Sequence, residues 1–232
     1  MNTDGQNTQD QRAGDQRVGG QTGRFIAFEG GEGTGKSTQA RLLADALRTT
    51  GVEVTVTREP GGTRGAEAIR ELLLHPPGEG WNPQAEALLF AAARSAHVAQ
   101  LIRPALADGV WVVCDRFVDS SRAYQGGAGG LGDAAIQDLH RFGSDALRPD
   151  CTLLLEVDTD RLTRRLAARD GDTSDAIGGR SADYHRAVAA RFGKLADDAP
   201  DAIHRIDGTG TPEQVHARIM ARITPLLEEA KR

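Results

Sequence analysis

The chain has 232 residues, 39% of them hydrophobic, with 28 Lys+Arg against 33 Asp+Glu and a formal net charge of −5. That is enough to bury one sizeable core, and it gives no overall electrostatic reason to bind nucleic acid. No apolar run approaches the ~20 residues of a membrane-spanning helix, and no apolar signal core follows the N-terminus, so a cytoplasmic location away from membranes is expected.

Residues 1–23 are rich in Gln, Gly, Asp and Asn and nearly devoid of large apolar side chains; they read as a disordered tail, followed by a single domain over 24–232. RFIAFE predicts a strand, then comes a glycine turn, then a helix with Leu42, Leu43, Ala46 and Leu47 on one face. A strand at 52–57, helices at 66–74 and 84–107, and the strand VWVVCD at 110–115 continue the alternation. A helix at 133–142, the strand CTLLLEV at 151–157, a helix from Asp160 and a Gly/Asp/Ser-rich segment follow. A helix at 181–196, a strand at 203–206 and a helix from Pro212 complete the chain. Strands alternating with helices in this way predict an α/β fold, a mainly parallel sheet covered on both faces.

Cys114 and Cys151 each lie inside an apolar strand-like run, without CxxC or Cys/His spacing. They read as reduced packing residues. His75, His97, His140, His185, His204 and His216 are scattered without metal-ligand spacing and read as structural or surface residues.

Gly30-Gly31-Glu32-Gly33-Thr34-Gly35-Lys36-Ser37, followed by Thr38, fits G-x-x-x-x-G-K-[ST] between a predicted strand and a predicted helix. The glycines let backbone N–H groups wrap an anion, Lys36 can reach the β and γ phosphates, and the Ser37 hydroxyl can ligate Mg²⁺. Asp115, ending an apolar strand, would lie beside the same crevice and is the second candidate magnesium residue. ATP and magnesium follow, but not the reaction, because ATPases, GTPases, kinases and switch proteins share this loop.

Three more segments carry unusual chemistry: REPGGT (58–63), the helical FAAARSAH (90–97) and DRFVDSSRAYQGG (115–127), the first and last read as loops. With FEGGEGTGKST they resemble, in order, the motifs of the thymidylate kinases. The resemblance implies a doubly wound parallel sheet of the P-loop type, a mobile lid at about 169–181 and a homodimer. It also implies transfer of the γ-phosphate of ATP, with Mg²⁺, to dTMP in the dTTP supply pathway. Carried over by residue, Phe90 would stack on thymine, and Arg94 would meet the base or monophosphate side. Arg116 would grip the acceptor phosphate, Ser121 and Gln125 would lie near the base, and Tyr124 would lie against the deoxyribose. Glu59 would lie beside the acceptor, and Glu32 would position substrate. This P-loop has no arginine of its own, so the resemblance assigns the transition-state cation to the lid. There Ala176 stands where many relatives have arginine, leaving Arg169 and Arg180 as the candidates.

Overall fold

In β1 (Phe25–Glu29) alternate side chains leave in opposite directions, yet all five residues are buried. A strand covered on both faces belongs at the centre of a parallel sheet, and that is its place in this computed structural model, which describes residues 23–157 and 176–230. The other strands are β2 (Val54–Arg58), β3 (Trp111–Asp115), β4 (Cys151–Glu156) and β5 (Ile203–Asp207). Their order is β2-β3-β1-β4-β5, with every neighbouring pair parallel.

Helices cover both faces. On one, α1 (Lys36–Thr49) and the last helix pack Leu43, Leu47, Ile219 and Ile223 onto Ile26, Phe28, Trp111 and Leu153. On the other, Phe25, Ala27, Val112 and Cys114 meet Val98, Ile102 and Phe117. Between β2 and β3 the chain forms α2 (Arg64–Leu74) and α3 (Pro83–His97), the latter running through a π-helical stretch (Val98–Ile102) into α4 (Arg103–Ala107). After β3 come α5 (Val118–Ser121), a second π-helical stretch (Arg122–Ala128) and α6 (Asp133–Ser144). Next are α7 (Ala182–Asp198), whose Val188, Phe192 and Leu195 pack on Leu154 of β4, and α8 (Pro212–Ala230).

The caps are legible in the residues: Thr63 and Asn82 accept from backbone N–H groups three residues on, and Pro83 occupies the first turn of α3. The segment after β3 differs from its reading as a loop, since most of it is helical. Its Ser, Arg and Gly residues hide the apolar periodicity. Its first turn is organised from outside, by Glu29 accepting from the backbone N–H groups of Phe117 at 2.8 Å and Ser120 at 3.0 Å. Both cysteines are free and buried. The helix read from Asp160 and most of the polar segment after it lie outside the described residues.

Strand order builds the site. With β2, β3 and β1 adjacent, Arg58 pairs in register with Asp115, and Asp115 with Phe28. The residues that follow the three strands, Glu59, Arg116 and the glycine loop, therefore emerge side by side at the carboxyl edge of the sheet.

Candidate active site

The glycine loop turns where only glycine is comfortable. Gly30 has φ 136°, and a Cβ there would meet the Leu155 carbonyl oxygen at 2.5 Å; Gly35, entering α1, has φ 97°. Lys36 is buried and donates to the Gly31 carbonyl at 2.7 Å. Desolvation, and next the nearby Arg116 guanidinium, lower its pKa to about 8.

Ser37 donates its hydroxyl to Asp115 Oδ2, while Asp115 Oδ1 is buried without a hydrogen-bond partner. An orphaned carboxylate oxygen beside a hydroxyl fits a hard cation. No group of three or more His, Cys, Asp or Glu side chains able to hold a metal exists among the described residues.

Arg116 adopts φ 70°, an uncommon conformation for a residue with a side chain. Its guanidinium is clamped from four sides: Nη2 donates to Glu32 at 2.6 Å and to the Tyr124 hydroxyl at 3.3 Å, and Nη1 donates to the Gly30 carbonyl and Ser120 Oγ, both at 3.0 Å. Glu32 thus meets a cation, the condition under which a carboxylate can sit in a phosphate loop. Behind this cluster Glu29 is fully buried and accepts the Ser120 hydroxyl at 2.6 Å. Burial, then the charge of Asp119, raise the Glu29 pKa to about 7.

Arg94 is held as firmly. Nε donates to Glu59 Oε2 at 2.7 Å, and Nη2 to Ser121 Oγ at 2.9 Å and the Phe117 carbonyl at 3.3 Å. Glu59 bonds through its other oxygen to His97 Nδ1 at 3.0 Å, and His97 Nε2 to Thr57 Oγ1 at 2.8 Å. The pair is buried, with both Glu59 oxygens and Arg94 Nε and Nη2 hydrogen-bonded, the condition under which charges are tolerated inside a protein.

These groups face one cleft of about 520 Å³. It takes in Glu32, Gly33, Gly35, Lys36, Ser37 and Thr38 of the glycine loop, Glu59, Phe90 and Arg94, and then Asp115, Arg116, Ser121, Tyr124 and Gln125. Phe90 is half-buried on its wall. Gly30, Gly31 and Thr34 shape the loop without lining the cleft. Arg180 also stays out of the lining: Nη2 is paired with Glu86, and Nη1 donates to the Tyr184 hydroxyl at 2.6 Å. Arg169 lies outside the described residues.

The thymidylate kinase family model matches residues 28–219. The chain belongs to the thymidylate kinase family. A thymidylate kinase of Rhizorhabdus wittichii is 53% identical over 205 residues, 88% of this chain and 99% of that one. One of Bradyrhizobium diazoefficiens is 45% identical over 202 residues, 87% and 89% of the two chains. The crystal structure of thymidylate kinase from Ehrlichia chaffeensis superposes with a TM-score of 0.70 at 31% identity, covering 87% of this chain and 99% of that one. For a thymidylate kinase family member, the five-stranded parallel sheet and the loop after β1 are thus the expected P-loop architecture.

Several residues in or behind this cleft escaped the sequence reading. Arg70 lines it and donates to the Pro60 carbonyl at 2.9 Å. The signal was its position between Ala66 and Leu73, a cation on the buried stripe of α2. Glu86 precedes Phe90 and Arg94 at four-residue spacing, so the polar line extends one turn further than Phe90. Glu29 and Ser120 had no such signal, since their pairing joins a strand end to a distant helix.

Proposed function

We infer that this chain carries out its reaction, transfer of the γ-phosphate of ATP to dTMP to give dTDP and ADP, in the cleft after β1, β2 and β3. The observation that carries the reading is the juxtaposition, in that one cleft, of Lys36 in a glycine-rich phosphate loop with the clamped guanidiniums of Arg116 and Arg94. Phosphoryl transfer asks the protein for alignment and charge neutralisation rather than covalent chemistry.

Lys36 and the loop N–H groups bind the donor phosphates. Ser37 and Asp115 would hold Mg²⁺, which neutralises charge on those phosphates when bound. Arg116 takes the acceptor phosphate by exchange: its Nη donors are engaged by Gly30, Ser120, Glu32 and Tyr124, and phosphate oxygens displace part of that clamp. Arg94, with Nε and Nη2 committed to Glu59 and Ser121, keeps Nη1 for the acceptor. Phe90 offers a ring to the base, Gln125 an amide, and Tyr124 a wall against the sugar. Glu59 acts by fixing Arg94, and Glu32 by fixing Arg116. The pairing of Arg180 with Glu86 supports Arg169 as the lid cation for the γ-phosphate.

A homodimer is part of this reading, supported by the exposed Leu72, Leu88 and Phe142 on α2, α3 and α6. No helix among the described residues is long and apolar enough to cross a membrane; a cytoplasmic place is part of the same reading.

The test is ADP production from ATP and Mg²⁺ with and without dTMP. One dTDP per ADP, and little ADP without acceptor, is expected. Equal ADP release in both reactions would replace the kinase reading with a nucleotide switch.

A further inference from the structure

Glu86, in the first turn of α3, is 8% exposed and stands behind the cleft wall rather than in the lining. Each of its oxygens faces one donor: Gln125 Nε2 donates to Oε1 at 2.9 Å and Arg180 Nη2 to Oε2. Arg180 is steadied by the Tyr184 hydroxyl, which in turn donates to the Tyr124 carbonyl at 3.1 Å. A carboxylate can only accept and a guanidinium can only donate, so this chain of bonds has a fixed polarity. The two ends of the Gln125 amide are alike in shape, but only its NH₂ can face Glu86. Gln125 itself lines the cleft, and no described residue bonds to its carbonyl Oε1, the atom left for a ligand.

We propose that Glu86 is a specificity-determining positioning residue: by holding the Gln125 amide in one orientation it presents an acceptor to the incoming base. That selects a pyrimidine with a ring N–H, thymine or uracil, over cytosine, whose ring nitrogen is itself an acceptor. This rests on the reading of the cleft as the dTMP site. Arg180 holds the carboxylate in place from its other oxygen, and because it has only donors it decides how an amide at position 86 would turn.

The polarity argument makes Glu86→Gln informative. The new amide must give its oxygen to Arg180, which has only donors, and so turns its NH₂ toward Gln125. Gln125 answers with Oε1 and shows its own NH₂ to the cleft, the arrangement cytosine prefers.

The experiment measures kcat/KM, or Kd by calorimetry where turnover is too slow, for dTMP and dCMP in the wild type, Glu86→Gln, Glu86→Asp and Gln125→Leu. The dTMP-to-dCMP ratio is expected to fall at least about 10-fold in Glu86→Gln, the scale of one misdirected hydrogen bond in a specificity pocket. Glu86→Asp, which keeps an acceptor-only group, should retain the wild-type preference. The ratio compares two acceptors on one preparation, so partial misfolding or a purely structural defect lowers both activities and leaves it in place. Should Glu86→Gln not fold, Glu86→Ala releases the same amide and should lose the preference too. An unchanged ratio on losing the carboxylate, with the ratio lost in Gln125→Leu, overturns the role of Glu86 and leaves the dTMP-site reading standing. An unchanged ratio in Gln125→Leu overturns the placement of the base at Gln125, and the proposal with it.

Discussion

Burial draws the Lys36 ammonium down to about 8, and the Arg116 guanidinium adds to the fall. Before nucleotide arrives, Lys36 is thus partly neutral in mildly alkaline solution, whereas phosphate oxygens beside it would restore its charge. The sign follows: above pH 8 the free protein lacks a proton that the complex holds, so ATP binding takes up a proton and weakens as pH rises. Calorimetry at pH 8.5 in buffers of different ionisation enthalpy should detect that uptake, and Lys36→Met should abolish it. In Lys36→Ala, kcat should fall by at least about 10²-fold with the fold retained, as for loss of a preorganised charge at a transferring phosphoryl group. Wild-type turnover in that variant would remove Lys36 from the mechanism.

At the scale of elements, the same buried edge shows which features the sequence discloses. The phosphate loop was legible because spacing, preceding strand and following helix agree, and Phe90 and Arg94 because they share a helix face. Glu86 and Arg70 were not, since charged residues on an otherwise apolar stripe read as surface until the stripe is seen to border a cleft. Helix α5 was invisible for a different reason: its four residues are ordered by Glu29 of β1 through Phe117 and Ser120, a contact across 88 to 91 positions of chain. Through Ser120, which accepts from Arg116 Nη1, that strand end also steadies Arg116. Glu29 has its pKa raised from 4.5 to about 7 by burial and then Asp119. A carboxyl that keeps its proton longer when folded contributes most below pH 4.5 and loses that contribution as pH rises through 7. Glu29→Gln, which stays neutral and keeps an acceptor for the two N–H groups, should therefore gain stability relative to wild type between pH 5 and pH 8. Urea unfolding at both values checks this, and a difference independent of pH would refute it. Glu29→Ala, which strands both N–H groups and the hydroxyl, should cost about 2–4 kcal/mol.

For the whole molecule, the question is what covers the helices on the outer side of the cleft. Helix α3 packs against α2 on one side and α6 on the other, and each presents a large apolar side chain to solvent: Leu72 at 43%, Leu88 at 57% and Phe142 at 94% exposure. Single exposed apolar residues are ordinary. Three on adjoining helices, with one aromatic ring almost entirely uncovered, point to burial by a symmetric partner. Helices α2 and α3 also carry Arg70, Phe90 and Arg94 in the cleft lining and Glu86 behind it, so a dimer through this surface would brace that wall from behind. Light scattering or sedimentation should give a dimer for the wild type. Leu88→Glu and Phe142→Glu, placed where the monomer is open to water, should shift it to monomer while leaving each subunit folded, because a charge is unfavourable in a buried apolar interface and harmless on a free surface. With the acceptor wall unbraced, KM for dTMP should rise more than kcat falls. A wild-type chain that sediments as a monomer, or a double variant that remains dimeric, would move the interface elsewhere.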